Sequence, residues 1–464
     1  MRIVFVASEV VPFAKTGGLA DVCGTLPLAL ERLGHEIIVI MPRYSGIAAE
    51  KFIPGRVSTS GLGQGIKVYF IENKKFFDRP HIYGGAEGDY PDSLERFSFF
   101  CHEALRLLKD LKEPVDIIHC HDWQTGLLPL LVKKDAEADS FFQKTRVVLT
   151  LHNLAYQGVF PKGQYSKLGI GTGMFNEEGV EFHGKINLLK AGILFSDLVT
   201  TVSPGHAREI VTSEFGYGLE ELLRQKKGCL VGILNGLDYD QWNPQTDPLI
   251  QPNYSDKDWL AKKILKKKLQ SAFKLPSFGD IPIFGFVSRL CYQKGIDLFE
   301  SAFESLMERP IQVVLQGVGE DKYQKIVQRL AKKYPQKFSA LIKYDESLAH
   351  LVFAGSDFLL MPSVYEPCGL TQMIALRYGT VPIASYVGGL ADTIVDLSEG
   401  ALKGNGIVMP SYSVSGLLES MDRATGFFHQ KDKMNALVTH AMSLRWTWDI
   451  SAKRYIECYE ECLK

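Results

Sequence analysis

The feature that most constrains this chain is a rhythm. A short β-branched or aliphatic run is followed by a turn and a stretch of helical periodicity, and the pattern restarts midway. In the first half the runs are 3–7, 36–40, 67–71, 116–120, 146–151, 198–202 and 230–233; in the second they are 283–287, 312–315, 340–343, 358–361, 382–384 and 406–408. Helical stretches such as 185–195 separate several of them. Strands that alternate with helices are joined by crossovers, which lay them parallel and cover both sheet faces. Residues 60–73 break the rhythm: Gly61, Gly63 and Gly65 precede a strand with no helix between. A local hairpin is expected there, and this glycine cluster, with no helix after it, is given no cofactor role. The expected fold class is α/β, with two related domains.

A length of 464 residues suits two or three domains at about 150 residues each. The stretch 240–280 carries Pro244, Pro248, Pro252 and Pro276, then a lysine-rich helix near 259–273 that reads as a solvated face. The boundary is placed near 242–250, so the domains are 1–242 and 250–445. Residues 446–464 hold a final helix whose destination the pattern alone does not fix. Lys plus Arg is 52 against Asp plus Glu 53, a net charge of -1. That balance argues against nucleic acid or an anionic membrane as partner. No apolar run reaches the roughly 18 residues of a membrane span. The opening segment is interrupted by Ser8, Glu9, Pro12 and Lys15 and reads as a first strand, not a signal peptide. Eight scattered cysteines without a CxxC pair fit reduced, buried thiols in a cytoplasmic protein.

Several motifs lie where such strands end. Lys15-Thr16-Gly17-Gly18 joins the first run to a helix. Glycines let backbone amides approach a ligand, the helix N-terminus favours anions, and Lys15 adds a charge suited to a diphosphate. The same segment also reads as a tight turn with no ligand, and it is neither GxGxxG nor a Walker loop. Arg289 and Lys294 follow the run 283–287, where open α/β sheets bind ligands; they read as diphosphate cations or as surface cations. Glu366 precedes a helix and reads as a cleft carboxylate or as that helix's cap. His119-Cys120-His121-Asp122 and His152-Asn153 end two more runs. HxH raises the question of metal, but no further ligands stand at a recognisable spacing, and no metal is expected. Asp238-Tyr239-Asp240 matches a metal-binding tripeptide but sits at the domain boundary, where a structural role fits better. Finally, Gly17-Gly18-Leu19-Ala20-Asp21 recurs as Gly388-Gly389-Leu390-Ala391-Asp392, each copy after a strand-like run and opening a helix. Two related domains facing across a cleft would bring both turns to one ligand.

With these residues in hand, the chain resembles the bacterial glycogen synthases and plant starch synthases over essentially its whole length. The motifs are KTGGLADV at 15–22, HDWQTGL at 121–127, TLHNLAYQG at 150–158, TVSPGHA at 201–207, ILNGLDYDQWNP at 233–244, SRLCYQKG at 288–295, PSVYEPCGLTQ at 362–372 and VGGLADTI at 387–394. The resemblance implies the GT-B fold, two Rossmann-like domains facing across a deep cleft that holds the donor, with a C-terminal helix crossing back to the first domain. It implies transfer of glucose from ADP-glucose to the non-reducing end of an α-1,4-glucan such as glycogen, with retention of configuration and without cofactor. By resemblance, Lys15 and Gly18 serve the donor's phosphate–sugar region, and Arg289 and Lys294 hold the diphosphate. Glu366 faces the sugar, which His152, Asp122 and Asn235 also approach. Tyr344 lies near the adenine, Tyr83 near the donor, and Gly388, Gly389 and Leu390 seat the phosphate or sugar. Many retaining enzymes of this fold carry a second Glu eight positions after the first; here that position is Ile374, so a two-glutamate scheme does not transfer. The rival readings are the same fold using UDP-glucose or another acceptor, a much longer pyridoxal-phosphate phosphorylase, a nicotinamide dehydrogenase lacking its GxGxxG, and a catalytically silent glucan-binding protein. The last would be marked by loss of Lys15, Arg289, Lys294 or Glu366, and all four are present. Oligomeric state is not readable from the residues.

Overall fold

The β-branched runs become strands buried on both faces, and their order around each sheet decides where a ligand can sit. The computed structural model describes residues 1–85, 88–399 and 403–464. They divide into two units, Met1–Gly236 with Trp448–Lys464, and Leu237–Thr447.

In the first unit the main sheet contains β1 (Arg2–Val6), β2 (Glu36–Pro42), β3 (Glu50–Ile53), β4 (Val57–Leu62), β5 (Ile66–Ile71), β6 (Ile117–His121), β7 (Arg146–Leu151), β8 (Leu198–Thr201) and β9 (Leu230–Gly232). Their spatial order is β9-β8-β7-β6-β1-β2-β5-β4-β3. Strands β9 through β5 run parallel, and β4 pairs antiparallel with β5, the hairpin expected around residues 60–73. Ile3, Val4, Phe5 and Val6 of β1 are fully buried, as a central strand covered on both faces requires.

The stretch 185–195 is not a single helix. Lys185–Asn187 pairs antiparallel with Val159–Pro161 and Glu181–Phe182 in a small separate sheet, and only then does helix α2 (Leu188–Phe195) begin. Asn187 decides the change: its Oδ1 accepts from the Lys190 N–H at 2.9 Å, capping the helix. The C-terminal helix, Trp448–Leu463, packs in this first unit against helix α1 (Gly18–Arg32). It buries Trp448, Ala452, Tyr455 and Tyr459, and the Tyr459 hydroxyl is hydrogen-bonded to His119 Nδ1 at 2.7 Å.

The second unit holds β10 (Ile283–Val287), β11 (Gln312–Gln316), β12 (Phe338–Leu341), β13 (Phe358–Met361), β14 (Val381–Ala384) and β15 (Ile407–Val408). Their order is β12-β11-β10-β13-β14-β15, all parallel. This is the doubly wound Rossmann order, and the parallel strands of the first unit follow it too. The strand order reverses between β1 and β6 in one unit and between β10 and β13 in the other.

Two expectations about the middle of the chain change. The division falls after Gly236, so residues 242–250 belong to the second unit and are not a linker. Trp242 stacks on His350 at 4.0 Å, and buried Asp247 accepts hydrogen bonds from His350 Nδ1 at 2.7 Å and from Tyr378. The prolines there mark irregular but packed chain. The lysine-rich helix, Ala261–Ala272, is not wholly solvated either. Lys262 and Lys266, one turn apart, are buried; Lys262 donates to Ala354 O at 2.9 Å and Thr380 Oγ1 at 2.6 Å, and Lys266 pairs with Asp357 at 2.7 Å. Burial lowers the Lys262 ammonium to about 7.

Candidate active site

In the first unit, the turn Lys15-Thr16-Gly17-Gly18 connects β1 to α1. It is held from beneath by Glu9, a buried carboxylate that motif reading passed over. Glu9 accepts from the Thr16 N–H, from Thr16 Oγ1 at 2.7 Å and from the Tyr83 hydroxyl at 2.5 Å, and that hydroxyl also bonds Ser8 Oγ at 2.7 Å. Tyr83 is thereby tied to the glycine turn. An acidic residue just beyond an apolar first strand is the signal that would have found Glu9. Apart from the adjoining residues and the helix's own backbone, no described atom lies within 4 Å of where a Cβ of Gly17 or Gly18 would be, and the cap residue Gly17 brings no side chain. The start of α1 is therefore uncrowded by side chains, and the Ala20 N–H turns back to Gly17 O at 3.3 Å. Lys15 is exposed and pairs with Asp21 at 2.6 Å.

At the ends of β6 and β7 the chain is strained and then held. Asp122 has φ 55°, in the left-handed region that a residue with a Cβ enters at a cost of about 1–3 kcal/mol. Its N–H donates to Thr150 O at 3.0 Å, and its Oδ1 accepts from the His152 N–H at 2.7 Å. Burial pushes the Asp122 carboxyl up to about 7. His121 Nδ1 and His152 Nε2 are 3.0 Å apart and hydrogen-bonded. Burial lowers both imidazoles, that of His152 to about 3, so both rings are neutral near pH 7. Asn235 follows β9, is 4% exposed, and its Oδ1 has no hydrogen-bond partner among the described residues. The Asp238-Tyr239-Asp240 tripeptide is a turn: Asp238 Oδ1 accepts from the Asp240 N–H at 2.9 Å.

In the second unit, Lys294 and Glu366 come together. Lys294 Nζ lies 2.5 Å from Glu366 Oε2, which also accepts from Ser363 Oγ at 3.1 Å. The two loops are joined along the backbone by Val364 N–H to Gln293 O at 2.9 Å and by Gln293 Nε2 to Tyr365 O at 3.1 Å. Glu366 does not cap the following helix α3 (Thr371–Arg377), whose cap residue is Leu370 without a side-chain bond. The capping alternative for Glu366 is thus replaced by an ion pair, 6% exposed as a residue. The Glu366 carbonyl accepts from the Gly389 N–H at 2.9 Å, which links it to the turn opening helix α4 (Gly388–Thr393). Arg289 is exposed on its loop, and Tyr344, after β12, is 78% exposed.

Every candidate residue thus follows the carboxyl end of a strand in its own sheet. Lys15 and Gly18 follow β1, Tyr83 β5, Asp122 β6, His152 β7 and Asn235 β9; Arg289 and Lys294 follow β10, Tyr344 β12, Glu366 β13 and Gly388–Leu390 β14. Ligands of open parallel sheets bind on that side.

Two doubly wound units with polar groups beyond their strand ends are the arrangement that GT-B glycosyltransferases share, and solved structures of that fold match this chain. The catalytic domain of starch synthase IV from Arabidopsis thaliana, bound to ADP and acarbose, superposes with a TM-score of 0.90 at 33% identity, covering 100% of this chain and 99% of its own. Sucrose-phosphate synthase from Thermosynechococcus elongatus shares the fold, with a TM-score of 0.64 at 17% identity over 99% of this chain and 98% of its own. The starch synthase catalytic domain family matches residues 2–225, and the glycosyl transferases group 1 family matches residues 267–426. Glycogen synthases from Geotalea uraniireducens and Pseudothermotoga lettingae are 44% and 42% identical, each over 100% of this chain and 99% of its own length. The chain belongs to the bacterial glycogen synthase family, the glucosyltransferases that carry glucose from ADP-glucose to α-1,4-glucan.

Proposed function

We propose that this chain elongates glycogen by adding glucose to non-reducing ends with retention of configuration, and that the candidate residues divide the work by unit. The observation that carries this reading is the Lys294–Glu366 pair, 2.5 Å apart, a half-buried lysine on a buried carboxylate beside the Gly389 amide. A lysine paired to one carboxylate can exchange part of that contact for a diphosphate, which leaves Glu366 turned to the sugar. Arg289 and Lys294 then neutralise the charge that builds on departing ADP, an electrostatic contribution that grows as water is excluded. Gly388, Gly389 and Leu390 seat the phosphate or sugar, and the exposed Tyr344 ring offers a face to the adenine.

On the sugar side, Asp122, His152 and Asn235 approach the glucosyl unit, with Lys15, Gly18 and Tyr83 beside the donor. The anomeric carbon acquires oxocarbenium character as the leaving group departs, and electron-rich groups stabilise it. The main-chain carbonyl of His152, held by the strained Asp122 corner, is a candidate for that role. A neutral His152 ring acts as a hydrogen-bonding partner and not as a cation. ADP bound to the Arabidopsis starch synthase domain supports an adenine nucleotide here, and its acarbose supports a glucan acceptor. A nucleotide-sugar donor and eight unpaired cysteines fit the cytoplasm. No helix among the described residues is long and apolar enough to cross a membrane.

The test is purified protein with glycogen and either ADP-glucose or UDP-glucose in parallel, following nucleotide release and incorporation of labelled glucose. Incorporation from ADP-glucose supports the reading. Exclusive use of UDP-glucose, or glycogen binding without transfer, overturns it.

A further inference from the structure

At the carboxyl end of β6 sits a group that the transfer reaction leaves unused as a group: Cys23 of α1, His121 and His152. One ligand atom from each lies within 4.8 Å of the other two. Cys23 and His121 are fully buried, whereas His152 is half-buried and gives the group its approach from solvent. His121 Nε2 is buried and has no hydrogen-bond partner among the described residues, although Nδ1 of the same ring bonds His152. A buried polar atom left unpaired costs about 1–3 kcal/mol. Such an atom, on a ring grouped with a thiol and a second neutral imidazole, is a donor without an occupant.

We propose that Cys23, His121 and His152 form a binding site for a thiophilic divalent cation, Zn2+ being the ion whose chemistry they fit. One thiolate and two imidazoles with a fourth position open is the kind of nitrogen and sulfur set zinc takes in open sites. Zn–S near 2.3 Å and Zn–N near 2.0–2.1 Å in a tetrahedron put ligand atoms about 3.4–3.6 Å apart. The present spread of up to 4.8 Å closes by side-chain shifts of about 1 Å. Magnesium and calcium prefer oxygen ligands, and this group offers none. On binding, the thiol proton passes to solvent, the thiolate and two imidazole lone pairs go to the ion, and nothing is oxidised or reduced.

The consequence for activity rests on the reading that His152 approaches the glucosyl unit. An ion that ties the His152 ring to Cys23 and His121 withdraws it from the sugar, so occupancy slows transfer. The site is inhibitory, and a chelator restores the rate. Cys23 has no part in the proposed transfer, which makes it the residue to change.

The experiment uses the full chain freed of metal. Co2+ is added as a spectroscopic probe for thiolate-to-metal charge transfer, bound Zn2+ is counted by native mass spectrometry, and transfer is assayed with and without Zn2+. Cys23→Ala and Cys23→Val are compared, because valine nearly keeps the volume that alanine leaves empty. The expected result is one ion per wild-type chain and a charge-transfer band that both variants lose. Zn2+ should slow the wild type by about tenfold or more and the variants by less than about twofold. Failure of the wild type to bind the ion, or an unchanged band in both variants, overturns the proposal. Binding through Cys23 with an unaltered transfer rate leaves the cation site standing and overturns the placing of His152 beside the sugar.

Discussion

The turns Gly17-Gly18-Leu19-Ala20-Asp21 and Gly388-Gly389-Leu390-Ala391-Asp392 share five letters and a place after a parallel strand, yet their glycines answer different needs. In the first, nothing outside the adjoining residues and the helix's own backbone lies within 4 Å of either missing Cβ, and the turn opens a helix of 15 residues. In the second, Gly388 has φ 42°, and a Cβ on Gly389 would sit 2.1 Å from Cys368 O. The Gly389 amide is already used by the Glu366 carbonyl, and the helix has six residues. Glycine in the first turn leaves room at the start of the helix. In the second it lets one loop press on another and so places Glu366. The repeat copies a local shape; what each copy serves depends on what packs over it.

The strongest way to break this comparison is at the cations and the carboxylate near the second turn. Arg289→Ala is expected to lower kcat/KM by about 10²–10³ with the melting temperature unchanged, since an exposed cation adds little stability. Near-normal kinetics would remove it from the diphosphate. Glu366→Gln keeps the shape and deletes the charge. It should bind ADP-glucose within about tenfold of wild type yet turn over about 10²-fold slower, near 2.7 kcal/mol in the transition state. Calorimetric binding beside steady-state rates reads both quantities.

The turns themselves are set against each other by Gly389→Ala and Gly18→Ala. The first forces a backbone clash and should cost about 1–3 kcal/mol of stability along with kcat. The second should melt within about 0.5 kcal/mol of wild type and raise the KM for donor. Equal melting of the two variants would mean that the packing difference does not matter.

Asp122, near the first turn, adds a pH test. Its folded pKa of about 7 lies above the unfolded value of 3.8, so between them the folded state holds the proton and unfolding releases it. Raising pH through that window weakens the wild type. Asp122→Asn should therefore melt higher than wild type at pH 8, by a margin that shrinks toward pH 5. A margin independent of pH would mean that the carboxyl is not held protonated. The smallest expected effect is that of EDTA: dialysis against chelator should leave transfer undiminished, because cationic side chains serve the diphosphate. Loss of activity restored by magnesium would return attention to Asp238-Tyr239-Asp240.

The parallel strands, the hairpin at 60–73, the class of fold and the motif residues beyond the strand ends were legible in the chain because each has a local signature. Runs of Val, Ile and Phe mark strands, and Gly and Asn mark where they stop. Signals that need packing were not legible. The Lys185–Asn187 strand reads as helix until Asn187 is recognised as a cap, and Lys262 and Lys266 read as solvated until carbonyls and Asp357 close over them. Helical spacing puts those two lysines on one face without saying that the face is inward.

What the sequence determined by itself is therefore the succession of elements, the family motifs and the side of each sheet on which they fall, since periodicity and turn chemistry act over a few residues. Only the tertiary structure decided that Glu9 would hold the first turn together with Tyr83, that Lys294 would meet Glu366 across 72 positions, that Cys23 would stand beside His121 and His152, and that Tyr459 would reach His119 across 340. These contacts join segments whose approach is set by the order of strands in a sheet. That order follows from burying every apolar face at once, and no single stretch of sequence carries it.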